Sequence, residues 1–396
     1  MAIILSSVYN YHKWSSRTIS NGCPRVPHTL PFFGLTKVYR KDSKAFCEEW
    51  HVKLGPVFRA HLFGKEVTVV SGHYVREVFL NKHFDFIKGI VKVFDTRLLT
   101  DNGSREDFPP EDLREIITKY LTPKLNIYTR RLIKQLKQDV ENILVVEYRL
   151  SEARRNPDWK KPTDVLQDLL ENSKPPAHMD LMDYLVCIIT ILIFVALHST
   201  IENTTVLLYR ILENPEIMDE LDLEQREVIE QEGLDTNCGS ELFTRDILKK
   251  FTKLDSVCRE TFRMKNQYIT LPHEYDGKVP LTLSNGAVIN PGDDVLIDVW
   301  TNHRYKKETT SVKDADEFRP FRFVNQNKQS TKVGEDYLFF GMGRHACPGR
   351  WFAMQEIQAI TAILVRECKF IPKGPIIFPT AERSPIPTGR CIIQRK

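Results

Sequence analysis

The chain lacks most features that would settle its class at a glance. Its 396 residues hold no Gly/Ser-rich linker, no internal repeat and no low-complexity tract, so nothing divides it into strung modules. Eight cysteines are scattered along it, and none forms a C-x-x-C pair. That argues against a structural zinc site and a disulfide framework, and it points to a reducing compartment. The net charge is only +4, with no aromatic-interleaved basic stripe, which gives no case for nucleic acid. No secretory signal is convincing. The apolar residues 2–8 fall far short of the roughly 20 needed for a membrane span. The basic, aromatic stretch 9–17 that follows suits a membrane interface, so residues 1–23 read as a leader, either a frayed terminus or the remnant of an anchor. Residues 184–197 carry no charge, but fourteen residues suit a buried core helix better than a span.

What is present is ordinary globular composition, 42% hydrophobic and 27% charged, with ample length for a large core. Residues 55–71 alternate around Gly64 and predict a β-hairpin. Short helices are expected at 73–80 and 163–170, and longer ones at 111–121, 129–146, 245–264 and 351–366. A polar loop is expected at 101–110, and a charged, Pro-containing stretch outside any helix at 149–162. Residues 180–212 predict one long helix. Asn214-Pro215-Glu216 then restarts the chain as a capping Asn, a first-position Pro and a first-turn acid. Residues 280–300 alternate around Asn285-Gly286 and Pro291-Gly292, which are strand and turn signals. The expected class is mainly α with small sheets near both ends.

The most informative segment is FFGMGRHACPGRWFA, residues 339–353. Cys347 lies in a glycine-rich loop directly before an apolar helix, where amide groups and the helix dipole favour a thiolate. A thiolate held this way is a candidate axial ligand for haem iron. A lone cysteine more often reads as a buried structural thiol; the whole pattern turns the reading toward haem.

Phe340, Gly343, Cys347 and Gly349 match in full the F-x-x-G-x-x-x-C-x-G haem-binding signature of the cytochrome P450 family, which this segment closely resembles. The resemblance implies haem held by Cys347, with His345 facing a haem propionate. It implies a structural triad of Glu260, Arg263 and Arg322, the last from FRPFRF at 318–323. On the long helix, His198 fills the slot of the family's acid, Ser199 that of its threonine, and Thr200 follows; these are the candidate catalytic residues for proton delivery. The implied pocket wall is Phe194, Val195, Leu197 and Ile269. A core histidine satisfied by a backbone carbonyl is the plainer reading of His198.

The implied activity is monooxygenation of a hydrophobic small molecule. The implied partner is an NADPH-dependent reductase docking near Arg344 and Arg350, at the cytosolic face of the endoplasmic reticulum membrane. The wording of the haem segment, the PDWKKPTDVLQDLL stretch and the histidine at 198 most resemble fungal enzymes of terpenoid and related secondary metabolism.

The chain also departs from the family. Several helices expected ahead of the long helix are missing, so the haem domain, 24–396, is shortened around 147–165. The expected Trp is absent from the helix carrying Arg114 and Lys119, and no arginine lies between Arg263 and Arg304. His273 or Lys278 would have to stand in there. A haem-binding or partner-binding remnant without turnover is the alternative. A membrane-surface interaction protein, led by the basic-aromatic N-terminus, is a third.

Overall fold

The computed structural model describes residues 19–28, 34–93, 145–177, 179, 181–235, 239, 242–265, 267–304, 312–378 and 386–396. The loop expected at 101–110, the helix at 111–121 and nearly all of that at 129–146 lie outside the described residues, as does the stretch 9–17 expected at a membrane interface.

In chain order, the elements begin with the short strands β1 (Ile19–Ser20) and β2 (Cys23–Pro24) and the helices α1 (Thr36–Lys41) and α2 (Ser43–Leu54). Next come β3 (Val57–Leu62), β4 (Lys65–Val70), α3 (Val75–Leu80), β5 (Phe84–Asp85) and α4 (Phe86–Val93). The middle holds α5 (Val145–Arg155), α6 (Val165–Asn172), α7 (Leu181–Glu213), α8 (Pro215–Gln231), α9 (Arg245–Leu248) and α10 (Thr252–Arg263). Strands β6 (Ile269–Tyr275), β7 (Leu281–Thr282), β8 (Val288–Ile289) and β9 (Asp294–Asp298) lead to α11 (Val299–Arg304). The chain closes with α12 (Arg350–Glu367), β10 (Cys368–Pro372) and β11 (Cys391–Arg395). Among the described residues helices dominate, as the sequence predicts.

The sheets are small, as expected, but they are not confined to the two ends of the chain. The largest has five strands in the order β3-β4-β9-β6-β5, drawn from both halves of the chain. The predicted hairpin β3–β4 is antiparallel, and β4 then pairs in parallel with β9, Thr68 opposite Val295. Strand β3 is buried along its whole length and β4 over residues 67–70, so both faces of the hairpin are covered there.

Several local expectations are corrected by tertiary contacts. Residues 19–23, grouped above with the leader, join the fold: Cys23 is fully buried and its thiol donates to the carbonyl of Val57 at 3.5 Å. The stretch 149–162 is helical as far as Arg155, because Arg149 clamps both carboxylate oxygens of Asp164 at 2.7 and 2.8 Å. Asp164 in turn caps α6. Asn214 does not cap α8; its amide donates back to the carbonyl of Arg210, leaving Pro215 and Glu216 to define the start. The helix expected at 245–264 breaks into α9 and α10, because Glu224 on α8 takes the first amides of α10, Lys253 at 2.6 Å and Leu254 at 3.0 Å.

The long helix α7 is continuous. Tyr184, Leu185 and Ile188 near its start pack under Leu169 of α6. Among the described residues no helix is long and apolar enough to cross a membrane.

Candidate functional site

Cys347 lies between a short 3-10 turn, Gly343–His345, and the N-terminus of α12. Its own amide donates to the carbonyl of Phe340 at 2.7 Å, which closes the loop. Gly341 and Gly343 sit at φ of 68° and 64°, where a side chain is strained. A Cβ at Gly343 would also collide with the carbonyl of Phe79 on α3. Gly349 differs: its φ of −81° suits any residue, and a Cβ there would lie 4.0 Å from the Cys347 sulfur.

The amides of Gly349 and Arg350 donate to that sulfur. Burial raises the thiol above its ordinary range, and the two amides and the Arg350 guanidinium oppose the rise. A bound cation at the sulfur would complete what these donors begin. Arg350 also donates to the Cys347 carbonyl at 2.7 Å and lies over the Trp351 ring at 3.4 Å.

Beside the loop, β6 carries an irregularity between Thr270 and His273, with Leu271 at φ of 49°. There His273 is fully buried, ringed by Phe79, Phe86 and His345 at centroid distances of 5.1, 5.5 and 6.3 Å. Nδ1 meets the Leu271 carbonyl at 2.8 Å and therefore carries the proton. Nε2 is buried with no hydrogen-bond partner among the described residues. Burial lowers this imidazole to about 4. A carboxylate at Nε2 would reverse that by accepting from a protonated ring. An amide-cradled thiol next to an unsatisfied imidazole fits an iron porphyrin bearing carboxylates. Lys278, the other stand-in, is exposed beyond β6. Arg114 and Lys119 lie outside the described residues.

Glu260, Arg263 and Arg322 meet in the interior. Glu260 accepts from Arg263 Nε at 2.8 Å and Nη2 at 2.9 Å, from Arg322 Nε at 3.0 Å, and from the Arg319 amide at 2.9 Å. Arg263 reaches on to the carbonyls of His303 and Ala315 at 2.6 and 2.5 Å, and Arg322 to that of Glu317 at 2.7 Å. His303 bridges this cluster to the cysteine loop: Nδ1 donates to the Arg263 carbonyl at 3.2 Å, and Nε2 accepts the Leu338 amide at 2.6 Å. Phe262 stacks on Phe339 at 4.5 Å. His303 was missed in the sequence, where it is one of eleven histidines with no spacing signal.

The candidates on α7 separate. Ser199 is exposed and Thr200 is buried. Thr200 hydrogen-bonds Glu356 on α12, whose carboxyl burial pushes up to about 7. Glu356 was also missed; a helix position nine past Cys347 gives no sign of its partner. Of His198, Phe194, Val195 and Leu197 only the backbone is described. Ile269 is not a pocket residue: it packs in the sheet core, its backbone bound by the Tyr39 hydroxyl.

The cytochrome P450 family profile matches residues 113–384. Cytochrome P450 monooxygenase CYP512U6 of Ganoderma lucidum is 28% identical over 264 residues, covering 65% of this chain and 48% of that protein. Cytochrome P450 monooxygenase 103 of Postia placenta is 30% identical over 248 residues, covering 60% and 46%. Cytochrome P450 monooxygenase paxP of Penicillium paxilli is 30% identical over 244 residues, covering 60% and 44%. The chain thus spans about half the length of the curated relatives it matches. Among solved structures, retinoic acid-bound cyanobacterial CYP120A1 shares the fold, with a TM-score of 0.60 at 17% identity, covering 96% of this chain and 100% of that one. With the profile matching more than half of its length, the chain belongs to the cytochrome P450 family.

Proposed function

We propose that this chain is a haem-thiolate monooxygenase acting on a hydrophobic small molecule, a fungal secondary metabolite of terpenoid type. The observation that carries the reading is the Cys347 cradle, a thiol receiving two amides at a helix start. The printed names of the relatives, monooxygenases of fungi, support it. When bound, the haem supplies dioxygen activation, tuned by its sulfur ligand.

The rest falls to the chain. Cys347 holds the iron, with Phe340, Gly343 and Gly349 shaping the loop. His345 and His273 take the carboxylates of the porphyrin. Ser199, exposed on α7, orients a proton-donating water, and His198 occupies the slot of the family's acid in the same path. Thr200 is engaged by Glu356 and ties α7 to α12. Glu260, Arg263 and Arg322 hold the loop in place. Electrons come from NADPH through a reductase docking near Arg344, which is exposed, and Arg350. The location that goes with this reading is the cytosolic face of the endoplasmic reticulum membrane, and flotation with and without residues 1–17 tests it.

The deciding experiment is the spectrum of the full chain loaded with hemin, reduced and exposed to carbon monoxide. A band at the position typical of thiolate haem is expected, and Cys347→Ser should abolish it. A protein that takes up no haem overturns the proposal. The shortening expected around 147–165 motivates one second reading, a haem-binding or partner-binding remnant without turnover. Haem uptake without any oxygen-dependent product in the presence of a reductase would select it.

A further inference from the structure

We propose that Lys265 is a positioning residue that sets the turn of α7 carrying Ser199, acting through the side-chain amide of Asn203; this rests on the reading of Ser199 given above. Lys265 follows α10 by two residues, and only 8% of its surface is exposed. Its ammonium donates to Asn203 Oδ1 at 2.7 Å and pairs with Glu202, both on α7. The cation also lies 5.8 Å from the centroid of Phe339 in the cysteine loop.

Asn203 passes the constraint on. Its Oδ1 faces the ammonium, so its Nδ2 is turned toward the Ser199 carbonyl and donates to it at 2.7 Å. The cation fixes which way the amide points, and the amide fixes the carbonyl. Two neighbours repeat the pattern: Thr204 and Thr205 donate to the carbonyls of Thr200 and Ile201, each at 2.8 Å. Three consecutive side-chain bonds to carbonyls four residues back compete with the helix ladder over one turn. Of the three, only that of Asn203 is anchored outside α7 by a buried charge. Removing the charge frees the amide to rotate and releases the carbonyl that precedes Thr200.

Three variants of the full chain test this by hydrogen exchange, with air re-oxidation of the reduced, haem-loaded protein as a second readout. Lys265→Met should speed exchange at residues 199–206 by about tenfold or more, the scale of one lost charge-assisted bond. It should also speed re-oxidation by a severalfold factor, on the order of fivefold, without moving the Cys347-dependent band. Lys265→Arg should restore both. Asn203→Asp keeps a partner for the ammonium but loses the donor to Ser199, so it should reproduce the local exchange change in a protein that folds normally. Unchanged exchange at 199–206 in both Lys265→Met and Asn203→Asp overturns the proposal. So does an acceleration spread evenly over the chain. Should the wild type take up no haem, the functional reading falls, and exchange still decides the latch.

Discussion

Glu260 and Glu356 are acids on helices bordering the cysteine loop, the first fully buried and the second half-buried, and their neighbourhoods differ. Glu260 on α10 accepts four N–H groups, three of them from two guanidinium groups. Glu356 on α12 has the hydroxyl of Thr200, and burial dominates its titration. The first arrangement fixes one packing of the chain, because its guanidinium groups are held at once by the acid and by the backbone carbonyls around it. The second joins two helices with a group whose charge changes near neutrality.

The largest expected effect breaks the first arrangement. Glu260→Ala leaves the buried guanidinium of Arg263 and the part-buried one of Arg322 without their acid and should cost about 3–5 kcal/mol. Urea unfolding of the variant would show it, and an unchanged midpoint would mean the ion cluster contributes nothing.

Next in size is the imidazole that links this cluster to the loop. Burial lowers His303 from 6.5 to about 3. Below pH 6.5 the unfolded chain binds a proton that the folded one excludes. The contribution is therefore full above 6.5 and is lost progressively as pH falls toward 3, on the order of 3 kcal/mol in all. The urea midpoint should decline through that window, and His303→Gln should flatten the decline.

The smallest effect sharpens the comparison from the other side. The Glu356 carboxyl is raised from 4.5 to about 7, so ionising it favours the unfolded chain. Its cost is absent below 4.5, grows as pH rises to 7 and then stays. Glu356→Gln should match the wild type in acid and exceed it above neutrality by about 2 kcal/mol. Lower stability of the variant at alkaline pH would show that the bond to Thr200 outweighs burial.

The sequence made visible what fixed spacing encodes. The cysteine loop, the Glu260–Arg263 pair, the hairpin at Gly64 and the long helix each follow from residues close together in the chain. Three residues that shape the site were not visible. His303, Glu356 and Lys265 matter through partners 35, 156 and 62 residues away, respectively Leu338, Thr200 and Asn203. The same reason explains the two misplaced helix boundaries. Arg149 extends α5 because it reaches Asp164, and α10 begins where Glu224 meets it. The unsatisfied Nε2 of His273 depends on the irregularity at Leu271, whose positive φ is no preference of a leucine.

The parallel pairing of Thr68 with Val295 bears on how the molecule is made. Strand β4 emerges from the ribosome early, and its neighbour β9 follows more than two hundred residues later. Until then the hairpin β3–β4 has an unpaired apolar edge, a segment prone to adhere to other nascent chains. Vectorial synthesis therefore leaves the largest sheet to be closed late, and a ribosome that stalls before β9 releases a product with that edge bare.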